Sequence, residues 1–373
     1  MKSTKKATNK ATKAAKKGIS KLGLVGIIIV LIIAVTLVAL AYSPVGKSLA
    51  EKIQKGSTPT TEVEILASNF EPITIGDAKL KVHFIDVKQG DAIYIELPDG
   101  KDMLIDGGSG VIASDEVKTK FESYLANIKG TNEKIDHLVV THPDTDHYNM
   151  LESILENYEV QNIYYNDVNK NATYSGYMDL FEEEGATLHK AGPSKTQSVW
   201  RTIATDTYTL EMYSIGYDTL NVEKVDKYDA SESNGMSIVT TLKYKDRKVV
   251  LTGDAIEATE EWLMPLLEDG YDCDVLKLGH HGSSTSTSEE FLDKIKPEFA
   301  IVSADNGKAH DHPRPTVMNR LYDRGIITYS TNHHGSIVLE IAEDGKFGFR
   351  TEKAAMVQNN TKARDPLYIA PAA

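Results

Sequence analysis

The sequence predicts an α/β fold, a layered domain preceded by one transmembrane helix. Three observations support this prediction. One uncharged apolar run, at residues 22–41, lies near the N-terminus. From residue 79 onwards, two blocks of short strands are interspersed with helices, as is typical of a layered α/β domain. Several of those apolar strands end at histidine, aspartate and glycine, which places polar side chains together at strand ends.

The composition restricts the class of protein. The chain has 373 residues, of which 41% are hydrophobic and 25% charged, and it contains one cysteine. These values exclude a disordered chain, a collagen-like repeat and a disulfide scaffold. Residues 1–50 contain nine of the 41 basic residues and no acidic residue, so the remainder has 32 basic against 54 acidic residues, a balance of −22. We do not expect so acidic a domain to capture polyanions by general surface attraction.

The N-terminal region is predicted to export and anchor the domain. Residues 1–21 form a lysine-rich cytoplasmic tail, and residues 22–41 match the thickness of a bilayer core, about 30 Å. Residues 42–78 form a stalk, and the C-terminal domain is then extracellular on a single-pass protein of the cell membrane. The alternative is a signal peptide cleaved after Ala41, which would secrete the domain, although the run is longer than the usual h-region of about 7–15 residues.

The elements of the main domain, residues 79–350, follow from apolar periodicity. We predict strands at 80–86, 92–97, 102–106, 135–141, 160–165, from 208, and at 236–244, 248–252, 275–278, 299–303, 326–330 and 337–341. We predict helices at 116–128, 148–158, 177–184, 258–267, 288–294 and 317–324. Residues 351–373 have weak patterning and are predicted to form a C-terminal tail.

The loop that follows the strand at 135–141 has the strongest chemical signal. It contains four potential metal ligands within six residues, namely His142, Asp144, Asp146 and His147. Such a density of histidine and aspartate costs repulsion and desolvation unless a cation compensates it. A helix cap would need only one of the two aspartates. The sequence therefore predicts a metal-binding loop.

Three other strand ends have weaker signals of the same kind. Asp254 follows a strand and a glycine, His280 and His281 lie between two glycines, and Asp106 precedes two glycines. Each alone is weak, because an aspartate after a strand is usually a turn residue. Together, in this order, they predict one polar site built from several strand ends.

The order of these segments resembles the metallo-β-lactamase superfamily and, more closely, the extracellular hydrolase domain of ComEC-like competence proteins. The similarity covers about residues 80–349 and rests on residues 83–91, 104–108, 141–147, 251–255, 275–284 and 309–315. It implies a four-layer αββα sandwich. It also implies six ligands for one or two divalent metal ions, which are His142, Asp144, Asp146, His147, Asp254 and His280.

The resemblance also assigns roles around those ligands. Asp254 would bridge the two ions, Asp86 would orient a ligating imidazole, and Asp106 would lie behind the ligands or near the substrate. Asn234 lies about where the superfamily usually has a further histidine. The first site is therefore rich in oxygen ligands, which favours a weakly held ion or Mn²⁺ over two tightly bound Zn²⁺ ions.

The implied activity is that of a metal-dependent hydrolase, specifically a phosphodiesterase. A divalent metal supplies hydroxide at neutral pH, Asp146 would hold the attacking water, and His281 or His312 would donate a proton to the leaving group. Ser283 would bind a phosphate oxygen or simply form a turn.

The substrate implied by the resemblance is a phosphodiester, with extracellular DNA as the first choice. The alternatives are a wall-polymer phosphodiesterase, such as a teichoic-acid phosphocholine esterase, and an inactive metal-binding module. The sequence identifies the membrane as a partner through the N-terminal helix, and it identifies no protein partner.

Overall fold

The two predicted blocks of strands form two separate β-sheets. The first sheet has the strand order β17-β16-β1-β2-β3-β5-β7-β8, and the second has the order β15-β14-β13-β12-β11-β10-β9. The strands are β1 (Ala78–Phe84), β2 (Ile93–Glu96), β3 (Asp102–Ile105), β4 (Lys134–Ile135), β5 (His137–Val139), β6 (Glu159–Val160), β7 (Asn162–Asn166), β8 (Thr187–Ala191), β9 (Arg201–Ala204), β10 (Tyr208–Tyr213), β11 (Val239–Tyr244), β12 (Arg247–Leu251), β13 (Val275–Lys277), β14 (Phe299–Val302), β15 (Ile327–Ser330), β16 (Ile337–Ala342) and β17 (Phe347–Thr351). The short strands β4 and β6 pair with each other.

This computed structural model describes residues 78–110, 112–130, 132–167, 171–192, 198–215, 230–305 and 311–353. The predicted basic tail and the predicted transmembrane helix lie outside these residues, as do residues 42–77 of the stalk and residues 354–373 of the C-terminal tail. Within the described ranges, no helix is both long and apolar enough to cross a membrane.

Helices connect the strands of both sheets. They are α1 (Asp115–Lys129), α2 (Thr145–Tyr148), α3 (Leu151–Asn157), α4 (Ala172–Glu183), α5 (Ala230–Gly235), α6 (Glu257–Leu263), α7 (Glu289–Ile295), α8 (Pro315–Asp323) and α9 (Thr331–His334). A short 3-10 turn occupies Met264–Leu266, and a tight turn with left-handed backbone at His280 and His281 occupies Gly279–Gly282.

Helix α1 illustrates how the sequence sets the helix boundaries. The Ser114 hydroxyl caps its start by accepting a hydrogen bond from the backbone N–H of Val117, and Gly130 follows its last residue. Phe121 and Leu125, four residues apart, are buried on one face. The helix therefore covers one sheet with an apolar stripe.

Three apolar cores hold the layers together. The first contains residues of both sheets, such as Phe84 and Leu339 from one and Leu242 and Ile301 from the other, so the two sheets pack face to face. The second joins the first sheet to α1, α3 and α4, and the third joins the second sheet to α6, α7 and α8. The described residues therefore form a mixed α/β sandwich, in agreement with the predicted α/β class.

Parallel strands bring the predicted polar segments to two neighbouring edges. In the first sheet β3, β5 and β7 run parallel, and in the second β12, β13 and β14 do. The carboxyl ends of parallel strands meet at one edge of a sheet, which is where side chains from several strands can meet. Asp106 follows β3, Asp254 follows β12 and His281 follows β13.

Several predicted boundaries need correction. The helix predicted at 148–158 is two helices, because α2 begins at Thr145 inside the polar loop and the backbone N–H of Met150 donates to the Gly107 carbonyl. Strands β8, β9 and β17 lie at sheet edges and were not predicted. The first described strand, β1, begins at Ala78, and the last described strand, β17, ends at Thr351.

Candidate metal centre

Asp106 organises the loop that follows β5. Its carboxylate accepts hydrogen bonds from the backbone N–H and the hydroxyl of Thr141, each at 2.7 Å, and from Nδ1 of His147 at 2.7 Å. Because Nδ1 of His147 is the donor, Nε2 is left as the atom that can bind a metal. Asp106, predicted to lie behind the ligands or near the substrate, thus orients a ligating imidazole.

Asp254 meets the histidines of that loop from the second sheet. One carboxylate oxygen lies 3.3 Å from Nε2 of His147, and the other lies 3.9 Å from Nε2 of His142. The hydroxyl of Ser237 lies 3.1 Å from the Asp254 backbone N–H and accepts its hydrogen bond. The structure therefore brings together three of the predicted ligands, all of them buried.

His281, and not His280, lies deepest in the centre. Nε2 of His281 lies 3.3 Å from a carboxylate oxygen of Asp146 and 3.3 Å from one of Asp254. Its Nδ1 donates to the Ser303 carbonyl at 2.8 Å, which fixes the ring. His281 is therefore placed where it could hold a metal ion, although it was predicted to be one of two candidate proton donors.

His280 lies at the open side of the centre, contrary to its predicted place among the ligands. Its side chain is 25% exposed, and its Nε2 is 4.0 Å from Asp254. Nδ2 of Asn234 lies 3.2 Å from that same nitrogen, and the ring of His312 packs edge-on at 5.3 Å. Asn234 and His312 thus belong to the site, on the same side as His280.

Asp144 is beside the centre but does not cap the helix that follows it. It holds the N-cap position of α2 without a side-chain capping bond. Its carboxylate instead accepts a hydrogen bond from the Ser233 hydroxyl, and its other oxygen is 4.0 Å from Nε2 of His142. The contacts of Asp144 therefore do not support the alternative interpretation, in which its side chain caps α2.

Glycines allow the loops to approach one another closely. A Cβ atom on Gly108 would lie 2.2 Å from the backbone carbon of Asp146, and one on Gly253 would lie 2.9 Å from the Thr141 side chain. Gly253 also has a positive φ of 53°. Side chains at these positions would push the ligand-bearing loops apart.

The ionisation of the ligands follows from burial and mutual contact. Burial lowers the pKa of His142 to about 4, so its imidazole is neutral at pH 7. Burial opposes the charged form of His281 as well, but Asp254 and Asp146 outweigh it and raise the pKa of His281 to about 10. Burial would also raise the pKa of Asp254, yet His281 and His147 hold it well below its ordinary value. A metal ion binding here would therefore replace protons.

The donor set fits a divalent metal. Several buried ligand atoms have no hydrogen-bond partner, namely Nε2 of His142, His147 and His281, Oδ1 of Asp254 and Oδ1 of Asn234. Leaving each buried polar group unsatisfied costs about 1–3 kcal/mol. Two ligands on one tetrahedral Zn²⁺ ion are about 3.3–3.6 Å apart, which matches the 3.3 Å separations in this centre. Two donor groups overlap, one of His142, His147 and Asp254 and one of Asp146, His147 and His281.

The prediction for Asp86 was wrong. Its carboxylate contacts lysines instead of an imidazole, with Nζ of Lys120 at 3.0 Å, of Lys88 at 3.4 Å and of Lys353 at 3.8 Å. Asp106 performs the orienting role that was assigned to Asp86. Both aspartates follow a buried strand segment, so the sequence alone did not distinguish them.

Ser283 forms a turn within the loop that carries His281. Its hydroxyl lies 3.0 Å from the Thr285 hydroxyl and accepts the backbone N–H of the same residue at 3.4 Å. These contacts agree with the turn alternative.

Two buried charged residues at this site were not predicted from the sequence. Asp91 and Lys277 form an ion pair, with Nζ and Oδ2 2.9 Å apart. The sequence contains a feature that could have identified each residue. Asp91 ends one of the segments that carry the family resemblance, and Lys277 is a charged residue in an otherwise apolar strand.

Several known proteins resemble this chain in sequence. The sequence model of the Metallo-beta-lactamase superfamily matches residues 85–304. The chain is 25% identical over 268 residues to ComE operon protein 3 of Bacillus subtilis (strain 168), covering 69% of this chain and 32% of that protein. It is 24% identical over 277 residues to the competence protein ComA of Neisseria gonorrhoeae, covering 74% of this chain and 34% of that protein. The chain thus spans about a third of the length of these curated relatives.

Among solved structures, CmlA, a diiron β-hydroxylase from Streptomyces venezuelae, aligns with a TM-score of 0.43 and 14% identity, covering 76% of this chain and 60% of that one. These values are too low to support a functional argument. The family match, in contrast, extends over more than half of the chain and includes the whole loop from Thr141 to His147. The chain therefore belongs to the metallo-β-lactamase superfamily.

Proposed function

We propose that this chain is an exported, membrane-anchored, metal-dependent phosphodiesterase with nuclease-like activity. One observation carries the proposal: Nε2 atoms of three buried histidines converge on the carboxylates of Asp146 and Asp254 without hydrogen-bond partners of their own. An arrangement of this kind is costly unless cations complete it.

The two donor groups define which residues would hold divalent ions. His142, His147 and Asp254 would hold one ion, and Asp146 with His281 would hold a second, with Asp254 between them. A divalent ion at this place supplies hydroxide at neutral pH and neutralises charge on a phosphoryl oxygen. Zn²⁺ and Mn²⁺ both suit the mixture of imidazole and carboxylate.

His280 and His312 are the residues placed to exchange a proton with the leaving group. The His280 side chain is 25% exposed and the His312 ring packs against it. Either imidazole would first take up a proton from water and then pass it to the leaving group. Burial lowers the pKa of His280, so its protonated form gives up the proton readily. His281 is unsuited to this task because both of its nitrogens face buried acceptors, with Ser303 on one side and the carboxylates on the other.

The proposed substrate class rests on the relatives. One matching protein is named Competence protein ComA and another ComE operon protein 3. The segments quoted above resemble the hydrolase domain of ComEC-like proteins, and this resemblance favours extracellular DNA. Apart from its first fifty residues the chain has a charge balance of −22, so phosphate would be attracted by the metal ions locally and not by the surface at large. The lysine-rich flank of the apolar run at residues 22–41 supports the proposal that this run anchors the domain outside the cell.

The test uses the purified full chain with added Mn²⁺ or Zn²⁺. Three substrates are compared: bis-p-nitrophenyl phosphate, single-stranded DNA and p-nitrophenyl phosphocholine. We expect metal-dependent turnover of the first two, with a loss of about 100-fold or more in Asp146→Asn. The matched control is Asp269→Asn, because the Asp269 side chain is fully exposed and outside the centre.

Each outcome has a defined meaning. Turnover of the phosphocholine ester without cleavage of DNA would contradict the nuclease proposal and favour a wall-polymer phosphodiesterase. Metal binding without any turnover would favour an inactive metal-binding module. An equal loss of turnover in Asp146→Asn and Asp269→Asn would show that the centre is not the reactive site.

A further inference from the structure

A buried ion pair lies beneath the metal centre and joins the two sheets. Lys277 is the last residue of β13 in the second sheet, and Asp91 precedes β2 in the first. The two side chains are 0% and 1% exposed, and Nζ lies 2.9 Å from Oδ2 of Asp91. Nζ also donates to the Leu278 carbonyl at 2.9 Å. Because it is fully buried, Lys277 cannot bind a substrate from solvent.

Asp91 is within reach of both donor groups. A carboxylate oxygen of Asp91 lies within 4.8 Å of ligand atoms of Asp106 and His147, and likewise of Asp254 and His281. The backbone N–H of Asp91 donates to the Asp146 carbonyl at 3.2 Å. Without Lys277, Asp91 would therefore be a further carboxylate available to a metal ion.

The formal charge of the centre depends on Lys277. Among the residues that the structure describes, five aspartates surround the centre, namely Asp91, Asp106, Asp144, Asp146 and Asp254, and Lys277 contributes one positive charge. The balance of these six groups is −4, which two divalent ions would cancel. Removing the ammonium makes the balance −5 and increases the attraction for cations.

We propose that Lys277 is a built-in counter-charge that withholds Asp91 from the metal ions and thereby limits how tightly the centre binds them. The role is a positioning one, because Lys277 acts through Asp91 and touches no ligand position directly. The inference rests on the metal centre of the proposed function and is independent of its substrate.

The test measures metal affinity in four forms of the full chain by competition with a chelating dye. Lys277→Gln removes the charge but keeps a polar side chain beside Asp91. Asp91→Asn removes the opposite charge, and a double variant removes both. We expect Lys277→Gln to bind Mn²⁺ or Zn²⁺ about tenfold more tightly or better, and Asp91→Asn about tenfold more weakly. The double variant should return to within about threefold of the original affinity.

Thermal unfolding of the metal-free and metal-saturated forms separates this role from a structural one. Lys277→Met is included because it removes both charge and hydrogen bond at nearly constant volume. The metal-free Lys277 variants should unfold at a lower temperature than the original protein, and saturating metal should remove most of that difference. In Asp91→Asn, added metal should not restore the stability.

The opposite ranking would overturn the inference. If Lys277→Gln binds metal more weakly than the original chain, or with equal affinity, Lys277 has only a structural role. If the original chain itself binds no divalent metal, the proposed function fails as well, so the two failures are distinguishable.

Discussion

At the scale of single residues, Asp106 shows how one carboxylate prepares a metal ligand. All three groups that point at it are donors, two from Thr141 and one from His147. A carboxylate can accept all three, whereas an amide would have to place its own N–H₂ group against one of them. The orientation of His147 therefore depends both on the negative charge of Asp106 and on the ability of its carboxylate to accept three hydrogen bonds.

Asp106→Asn is expected to weaken metal binding by about 10–100-fold. The measurement is a metal titration of the full chain at pH 7. The control is Asp206→Asn, since Asp206 lies exposed in the turn between β9 and β10. Unchanged affinity in Asp106→Asn would mean that His147 does not need this partner.

Asp86 has a purely structural role in this account, and its stability effect should depend on pH. Burial favours the neutral acid, but Lys120 and Lys88 outweigh burial and lower the pKa of Asp86 below 3.8. The stabilisation is then complete above about pH 5 and is lost as the pH falls through the lowered pKa. We expect Asp86→Asn to cost about 1–3 kcal/mol of unfolding free energy at pH 7, and less below about pH 3. Urea denaturation at several pH values tests this, and a cost that grows towards acid pH would contradict it.

The sequence predicted most of the residues that meet in the centre but not their individual orientations. His280 and His281 are adjacent in one loop, and both have left-handed backbone, with φ of 46° and 53°. That local conformation decides which ring turns inwards, and residue types alone do not specify it. Lys277 was not predicted because its burial is explained only by its ion pair with Asp91, and that residue is distant in sequence.

At the scale of elements, the close packing of loops explains why glycines occupy the loop that follows β3. Gly107 and Gly108 follow β3, and the backbone of the Asp146–His147 segment packs directly against Gly108. The strands in the middle of each sheet were predicted correctly because their sequences are strongly apolar. The missed strand β8 alternates only weakly between exposed and buried positions because it lies at a sheet edge.

Gly108→Ala should displace the metal loop, because its Cβ would lie 2.2 Å from backbone atoms of Asp146. We expect loss of metal binding and a destabilisation of about 2 kcal/mol or more. Gly176→Ala in α4 is the matched control, since a Cβ there meets nothing within 4 Å and should stabilise the helix by about 0.5–1 kcal/mol. Equal effects of the two substitutions, measured by metal titration and thermal unfolding, would contradict this packing argument.

At the scale of the whole molecule, both sheets contribute ligands. Asp106 and the loop from Thr141 to His147 follow strands of the first sheet, whereas Asp254 and His281 follow strands of the second. A centre of this kind exists only when the sandwich is assembled, so metal binding should stabilise the folded state. The α/β class was predictable because strand and helix periodicities alternate along the chain. The pairing of the two sheets depends on contacts distant in sequence and could be inferred only through the family resemblance.

The most direct test of the central claim is the number of divalent ions that the full chain retains. The protein is stripped with chelator, saturated with Mn²⁺ or Zn²⁺, freed of excess ion and analysed for metal per chain. We expect two ions per chain in the original protein and less than one in Asp254→Asn, because the Asp254 carboxylate approaches histidines of both donor groups. No retained metal, or the same metal content in Asp254→Asn, would contradict it.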